Sequence, residues 1–222
     1  METERTVVFF SGTASDGRLL DRQRALPYRW ITPDWVDPHE GESLPEYARR
    51  MAARVDWPAR CVLGGVSFGG MVAAELAREV RPAGLVLIAT TLSPRNIPSI
   101  LRFGAMLGKA IPDGALRAAG GYSRPFLNIF RDFSDEEHAM FADMLARTPI
   151  MRLRRTVRMI FNWPGVDGLP FPRLWIQGAQ DLVIPVRKVN PDVVIPGAGH
   201  LVNWTHADQV NEHIRRFVDG LM

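Results

Sequence analysis

Residues Arg60 to Leu76 read RCVLGGVSFGGMVAAEL: a short apolar run, four glycines around one serine, then an alanine-rich amphipathic run. Gly65-Val66-Ser67-Phe68-Gly69 has the spacing G-x-S-x-G, which requires a strand before it and a helix after it. Both are legible here, so the stretch predicts a strand that turns sharply into a helix with Ser67 at the apex. A serine there needs a backbone with positive φ. Residues two before and two after it then approach so closely that only small side chains fit, which places Gly65 and Gly69. Gly70 lets the helix begin close to the sheet, and Gly64 has no evident role. Other glycine-rich readings fail on detail. A phosphate loop needs a Gly-Lys pair, and a dinucleotide fingerprint needs G-x-G-x-x-G with an acidic residue about twenty positions on.

Outward from this turn, strands and helices alternate. TVVFF (Thr6 to Phe10) reads as a buried strand entering the loop Ser11-Gly12-Thr13. YRWITP (Tyr28 to Pro33) is a second strand, and SLPEYARRMAARV (Ser43 to Val55) a helix capped by Ser43. RCVLG, GLVLIAT (Gly84 to Thr90), RLWIQG (Arg173 to Gly178) and DVVIPG (Asp192 to Gly197) follow as strands, and Ala207 to Leu221 as a closing helix. Strands apolar on both faces and separated by helices predict an α/β fold, a mostly parallel sheet of about six strands with helices on both faces. From Thr91 to about Pro170 only amphipathic helical pieces are found, around Ile97 to Ile111, Ser134 to Arg147 and Ile150 to Trp163. They read as a helical cap over the strand ends, or else as crossover helices packed on a sheet face. The expected division is a core of 1–92 and 166–222 with an insertion over 93–165.

At 222 residues the chain accommodates one such domain, and its 46% hydrophobic and 23% charged content is that of a globular protein. The net charge of +3 is spread along the chain without aromatic interleaving, which argues against nucleic acid as a partner. Cys61, the single cysteine, reads as a small buried hydrophobe. The N-terminus shows no signal-peptide pattern and no apolar run reaches membrane-spanning length, so a cytoplasmic protein is expected. The scattered histidines give no metal-ligand spacing, and no metal or organic cofactor is expected.

Serine becomes a nucleophile only when a base takes its proton and an acid orients that base. Of five histidines, His200 follows the sixth strand in VVIPGAGHLVNW, where two glycines free the loop to project it from the C-terminal end of the sheet. Asp181, after the fifth strand in LWIQGAQDLVIP, supplies the acid. The chain order Ser67, Asp181, His200 suits this architecture. The backbone N–H of Phe68 and that of Thr13 are the expected oxyanion donors.

With these residues in place the chain resembles the α/β-hydrolases over nearly its whole length, and is similar to small bacterial carboxylesterase-like members. GVSFGG at the turn, G-x-x-D-x-x-I-P around Asp181 and G-x-G-H-L-V around His200 carry the likeness. Ser11 stands where many members have histidine before the oxyanion residue, and the chain starts at the family's third strand. The resemblance implies a serine esterase acting on a small or medium carboxylic ester. A thioesterase or other acyl-group enzyme is the alternative, favoured if the basic stretch MRLRRTVRMI (Met151 to Ile160) meets an acidic carrier, and a non-catalytic ligand-binding protein of the same fold is another. Phe103, Phe126, Met151, Trp163 and Leu182 are the expected substrate-pocket residues. The expected partner is a small-molecule ester or thioester.

Overall fold

The structure, a computed structural model, describes residues 5–102 and 134–221. Its sheet has six parallel strands: β1 (Thr6–Phe10), β2 (Arg29–Ile31), β3 (Val62–Val66), β4 (Gly84–Ile88), β5 (Arg173–Gly178) and β6 (Val193–Ile195), in spatial order β2-β1-β3-β4-β5-β6. Helices α1 (Leu44–Ala52) and α2 (Phe68–Val80) precede β4. Then come α3 (Asp135–Arg147), α4 (Ile150–Asn162), a short α5 (Val202–Thr205) and α6 (Ala207–Gly220). The six-stranded α/β fold expected from the sequence is the one found.

Alternation along β1 sorts the core. Val7 and Phe9 face one side with Val86, Ile88, Ile176 and the α6 residues Val210, Ile214 and Val218. Val8 and Phe10 face the other with Leu63, Tyr47 and Met51 of α1, and Met71, Val72 and Leu76 of α2. Both faces of β1, β3 and β4 are therefore covered, which is why these strands are apolar without polar alternation. α3 adds Phe141 and Met144 to the first cluster, and α4 adds Met159, with Trp163 just beyond it, to the second.

Local chemistry agrees with the elements. Ser43 and Glu46 form a reciprocal capping box at α1, and Ser134 and Glu137 do the same at α3. Several boundaries differ: β2, α1, β4 and β6 are shorter than expected, and β3 starts at Val62 and does not stop at Gly64 but continues through Gly65 to Val66. Gly64 pairs with Phe9 and Val86 and Gly65 with Phe10 and Leu87, so ladders on both sides hold these flexible residues extended. Gly64 also gains a reason. A Cβ there would lie 2.4 Å from the Val86 carbonyl oxygen and 2.5 Å from the Phe9 ring.

The chain leaves β1 for β2 on one side and returns to β3 on the other. The order reverses between β1 and β3, and their C-terminal ends bound the crevice where ligands bind in open α/β sheets. Among the described residues no helix is long and apolar enough to cross a membrane.

Candidate active site

Ser67 sits at that crevice between β3 and α2 with φ 54° and ψ −118°, a conformation costing a non-glycine residue about 1–3 kcal/mol. Its surroundings hold it there. The Ser67 amide donates to the Ile88 carbonyl at 2.9 Å, and the buried Thr90 hydroxyl donates to the Ser67 carbonyl at 2.6 Å. The flanking glycines have separate functions. A Cβ on Gly65 would fall 2.2 Å from the Gly69 carbonyl carbon, whereas one on Gly69 would meet the Phe10 and Ser11 carbonyl oxygens at 2.3 Å. Gly69 thus clears β1 rather than Gly65, and Gly70 makes room for the Thr90 side chain, 2.6 Å from where its Cβ would lie.

β5 and β6 deliver the other two groups. The acid loop and the histidine loop are tied together: the Gln180 amide donates to the Ala198 carbonyl at 2.8 Å, and a Cβ on Gly178 would strike the Gly199 carbonyl oxygen at 2.4 Å. His200 lies between its partners, Nδ1 2.7 Å from Asp181 Oδ2 and Nε2 3.0 Å from Ser67 Oγ. With an ionised Asp181 accepting, the proton resides on Nδ1, which leaves Nε2 as the acceptor of the Ser67 hydroxyl. Asp181 is buried, and its Oδ1 accepts the amides of Val183 and Ile184 at 2.8 and 2.9 Å. These two amides fix the orientation of the carboxyl group beside His200. The structure therefore brings together the three residues singled out in the sequence.

Phe68 and Thr13 both line a cavity of about 10 Å³ with Ala14, Trp35, Tyr47, Thr148, Arg152, Leu153 and Thr156. Among the described residues neither amide has a hydrogen-bond acceptor. Phe68 is the first residue of α2, so its N–H is free by helix geometry and lies at the positive end of the helix dipole. The Gly12 carbonyl accepts the Ser15 hydroxyl at 2.8 Å and the Trp35 indole N–H at 3.2 Å. In a trans peptide the following N–H points the opposite way, so these two bonds orient the Thr13 amide.

The expected pocket residues fare differently. Met151 is 49% and Leu182 65% exposed, while Trp163 is buried with its indole N–H donating to Glu75 of α2. None of the three lines the cavity; the α4 residues that do are Arg152, Leu153 and Thr156. The period of α4 explains which of its residues line the cavity. Positions 152, 153 and 156 share one face, Met151 lies off it, and the stripe continues through Met159 to Trp163, away from the site and onto α2. Phe103 and Phe126 lie outside the described residues. Trp35, in an irregular segment, and Tyr47, a core position of α1, gave no local sign of lining a site. A wider, open depression of about 420 Å³ is lined by Asp16, Gly17, Arg18, Arg24, Asp34 and Arg147 and contains none of the three chemical residues.

Among the described residues no group of three or more His, Cys, Asp or Glu side chains is placed to hold a metal. Cys61 is buried, and burial pushes its thiol up to about 11, which removes it as a competing nucleophile.

A model of the family described as "Alpha/beta hydrolase family" matches residues 7–213. Solved structures share the fold. An esterase from Thermogutta terrifontis, malate bound, is 23% identical with a TM-score of 0.74, over 99% of this chain and 91% of that one. The enol-lactonase from Burkholderia xenovorans LB400 is 19% identical with a TM-score of 0.73, over 98% and 92%. A Synechocystis sp. protein named "Putative non-heme chloroperoxidase" is 35% identical over a match spanning 23% of this chain and only 24% of its own length.

Proposed function

The chain belongs to the alpha/beta hydrolase family, and from that premise we propose that it is a serine esterase cleaving a small or medium carboxylic ester through an acyl-enzyme. The observation that carries the reading is the continuous hydrogen-bonded line from Ser67 Oγ through His200 to Asp181. His200 takes the Ser67 proton as Oγ attacks the ester carbonyl, and Asp181 stabilises the imidazolium. The Phe68 and Thr13 amides receive the oxyanion. His200 then protonates the leaving alcohol, and a water that it activates releases the acid. The segment over 93–165, which includes α3 and α4, is the proposed cap.

The thioesterase reading leaned on the arginines of residues 151–160. Two of them already have partners within the chain: Arg152 pairs with Asp37 at 2.7 Å and Arg155 donates to the Pro38 carbonyl at 2.6 Å. That favours an ester over a coenzyme A thioester. The intact Ser–His–Asp line speaks against a non-catalytic scaffold. The test is a panel of p-nitrophenyl esters of increasing acyl length beside acyl-CoA thioesters, with fluorophosphonate labelling of wild type and Ser67→Ala. Full ester hydrolysis by purified Ser67→Ala would sink the assignment.

A further inference from the structure

Gln177 is the single uncharged polar residue of β5 after its first position, and it is fully buried. Its Nε2 lies 2.7 Å from Asp181 Oδ2 and 2.7 Å from the Ile184 carbonyl oxygen. Both partners are acceptors, so the amide orientation is settled: the nitrogen faces them, because a flipped amide would set oxygen against oxygen. The carbonyl Oε1 is buried and has no donor among the described residues. Strand β5 thus keeps a side chain with one polar end unsatisfied, a burden that packing alone would avoid and that points to a use for the other end.

We infer that Gln177 is a positioning residue of the proposed catalytic acid, setting both the direction and the charge of Asp181. The inference rests on the serine-esterase reading above. Asp181 Oδ2 receives two donors, His200 Nδ1 and Gln177 Nε2, both at 2.7 Å, while Oδ1 takes the Val183 and Ile184 amides. The backbone amides hold one oxygen. The glutamine occupies a lone pair of the other and leaves its remaining one aimed at the imidazole. It also anchors the Ile184 carbonyl, so the loop that carries Asp181 is fastened back to the strand it leaves. The amide withdraws part of the carboxylate charge that would otherwise act on His200. Removing it concentrates that charge on the His200 imidazolium, which then loses its proton at higher pH.

The experiment measures kcat/KM against pH for p-nitrophenyl acetate with the full chain, corrected by fluorophosphonate titration for the fraction of reactive serine. The variants are Gln177→Leu, which removes the donor at similar volume, and Gln177→Glu, which sets a second carboxyl beside Asp181. Expected are a fall in kcat of about tenfold for Gln177→Leu with KM little changed, and an upward move of the acid limb by roughly half a unit to one unit. Gln177→Glu should stay near wild type, because two carboxyls at this distance share one proton and the protonated one donates to the other. If Gln177→Leu fails to fold, Gln177→Met, which also lacks the donor, decides. An acid limb of the donor-less variant that superimposes on wild type, even with a lower kcat, would reduce Gln177 to a packing residue and overturn the inference. A wild type in which Ser67 is not labelled would instead remove the esterase reading itself, which keeps the two failures apart.

Discussion

The Trp35 indole N–H donates to the Gly12 carbonyl across 23 residues of sequence, at 3.2 Å, and so helps to set the direction in which the Thr13 amide points. Trp35 is held for this by stacking: its ring lies 5.8 Å from Phe10, 6.1 Å from Tyr47 and 5.1 Å from Phe68, centroid to centroid. The same aromatic cluster therefore forms the wall of the cavity and fixes the peptide beside it.

Trp35→Phe keeps a ring in that stack and removes the donor. We expect kcat to fall about three- to tenfold with KM nearly constant, since an oxyanion donor acts mainly in the transition state. Ser15→Ala, which removes the other bond to Gly12, should deepen the loss. Steady-state kinetics of the single and double variants decide; an unchanged kcat in the double variant would show that the Thr13 amide needs neither bond.

Loss of Ser67, His200 or Asp181 should each lower kcat by about 10³-fold or more, and combined variants should lose little beyond the worst single one. The strain at Ser67 gives a second readout. Ser67→Gly should be more stable than Ser67→Ala by about 1 kcal/mol, because only glycine adopts φ 54° without a Cβ penalty. Thermal melts of the two inactive variants measure this directly, and equal melting temperatures would contradict it.

Gly65→Ala tests the turn by packing alone. Its new Cβ would press on the Gly69 backbone at 2.2 Å, where no side chain can move aside. The expected cost is about 3 kcal/mol or more, read as insoluble expression or a melting temperature lower by roughly 6–12 °C. A stable and active Gly65→Ala protein would mean that the turn can open.

Glu75 responds to pH in the opposite sense to the surface acids. Burial between α2 and Trp163 raises its pKa above the ordinary carboxylate range, and the Trp163 indole only partly offsets that. The folded state then binds the proton more tightly than the unfolded one. This stabilisation is complete below the ordinary Glu value and is lost as pH rises from there through the raised folded value. Glu75→Gln keeps an acceptor for Trp163 without the buried charge. It should melt above wild type at pH 7 and converge with it near pH 4; parallel melting curves across that range would refute the effect.

Much of this was legible along the chain. The doublet Ser43…Glu46 announces a capping box, and the apolar runs of β1 and β5 appear at their actual positions, with β4 two residues shorter than expected, because a strand buried on both faces needs no partner to be recognised. The Gly-x-Ser-x-Gly turn is equally local, since its steric demand falls on residues two apart. Gln177 left a faint signal, one polar side chain after Arg173 in the run RLWIQG, but nothing told which atom it meets. Which apolar residues line the cavity was not legible from composition. Met151 and Trp163 are apolar and lie in or beside the right helix, yet only the rotation of α4 against α2 decides which of its faces meets the crevice.

The sequence by itself determined the alternation of parallel strands and helices, the strained turn at Ser67 and the chain order of Ser67, Asp181 and His200, because each depends on side-chain pattern within a few residues. Tertiary structure alone decided why Gly64 faces the Phe9 ring, that Trp35 and Ser15 share the Gly12 carbonyl, and that Gln177 and His200 meet on one oxygen of Asp181. Those relations depend on strand register and on the angle at which loops cross. Distances of a few tenths of an ångström between groups brought together by folding leave no periodicity in the chain to read.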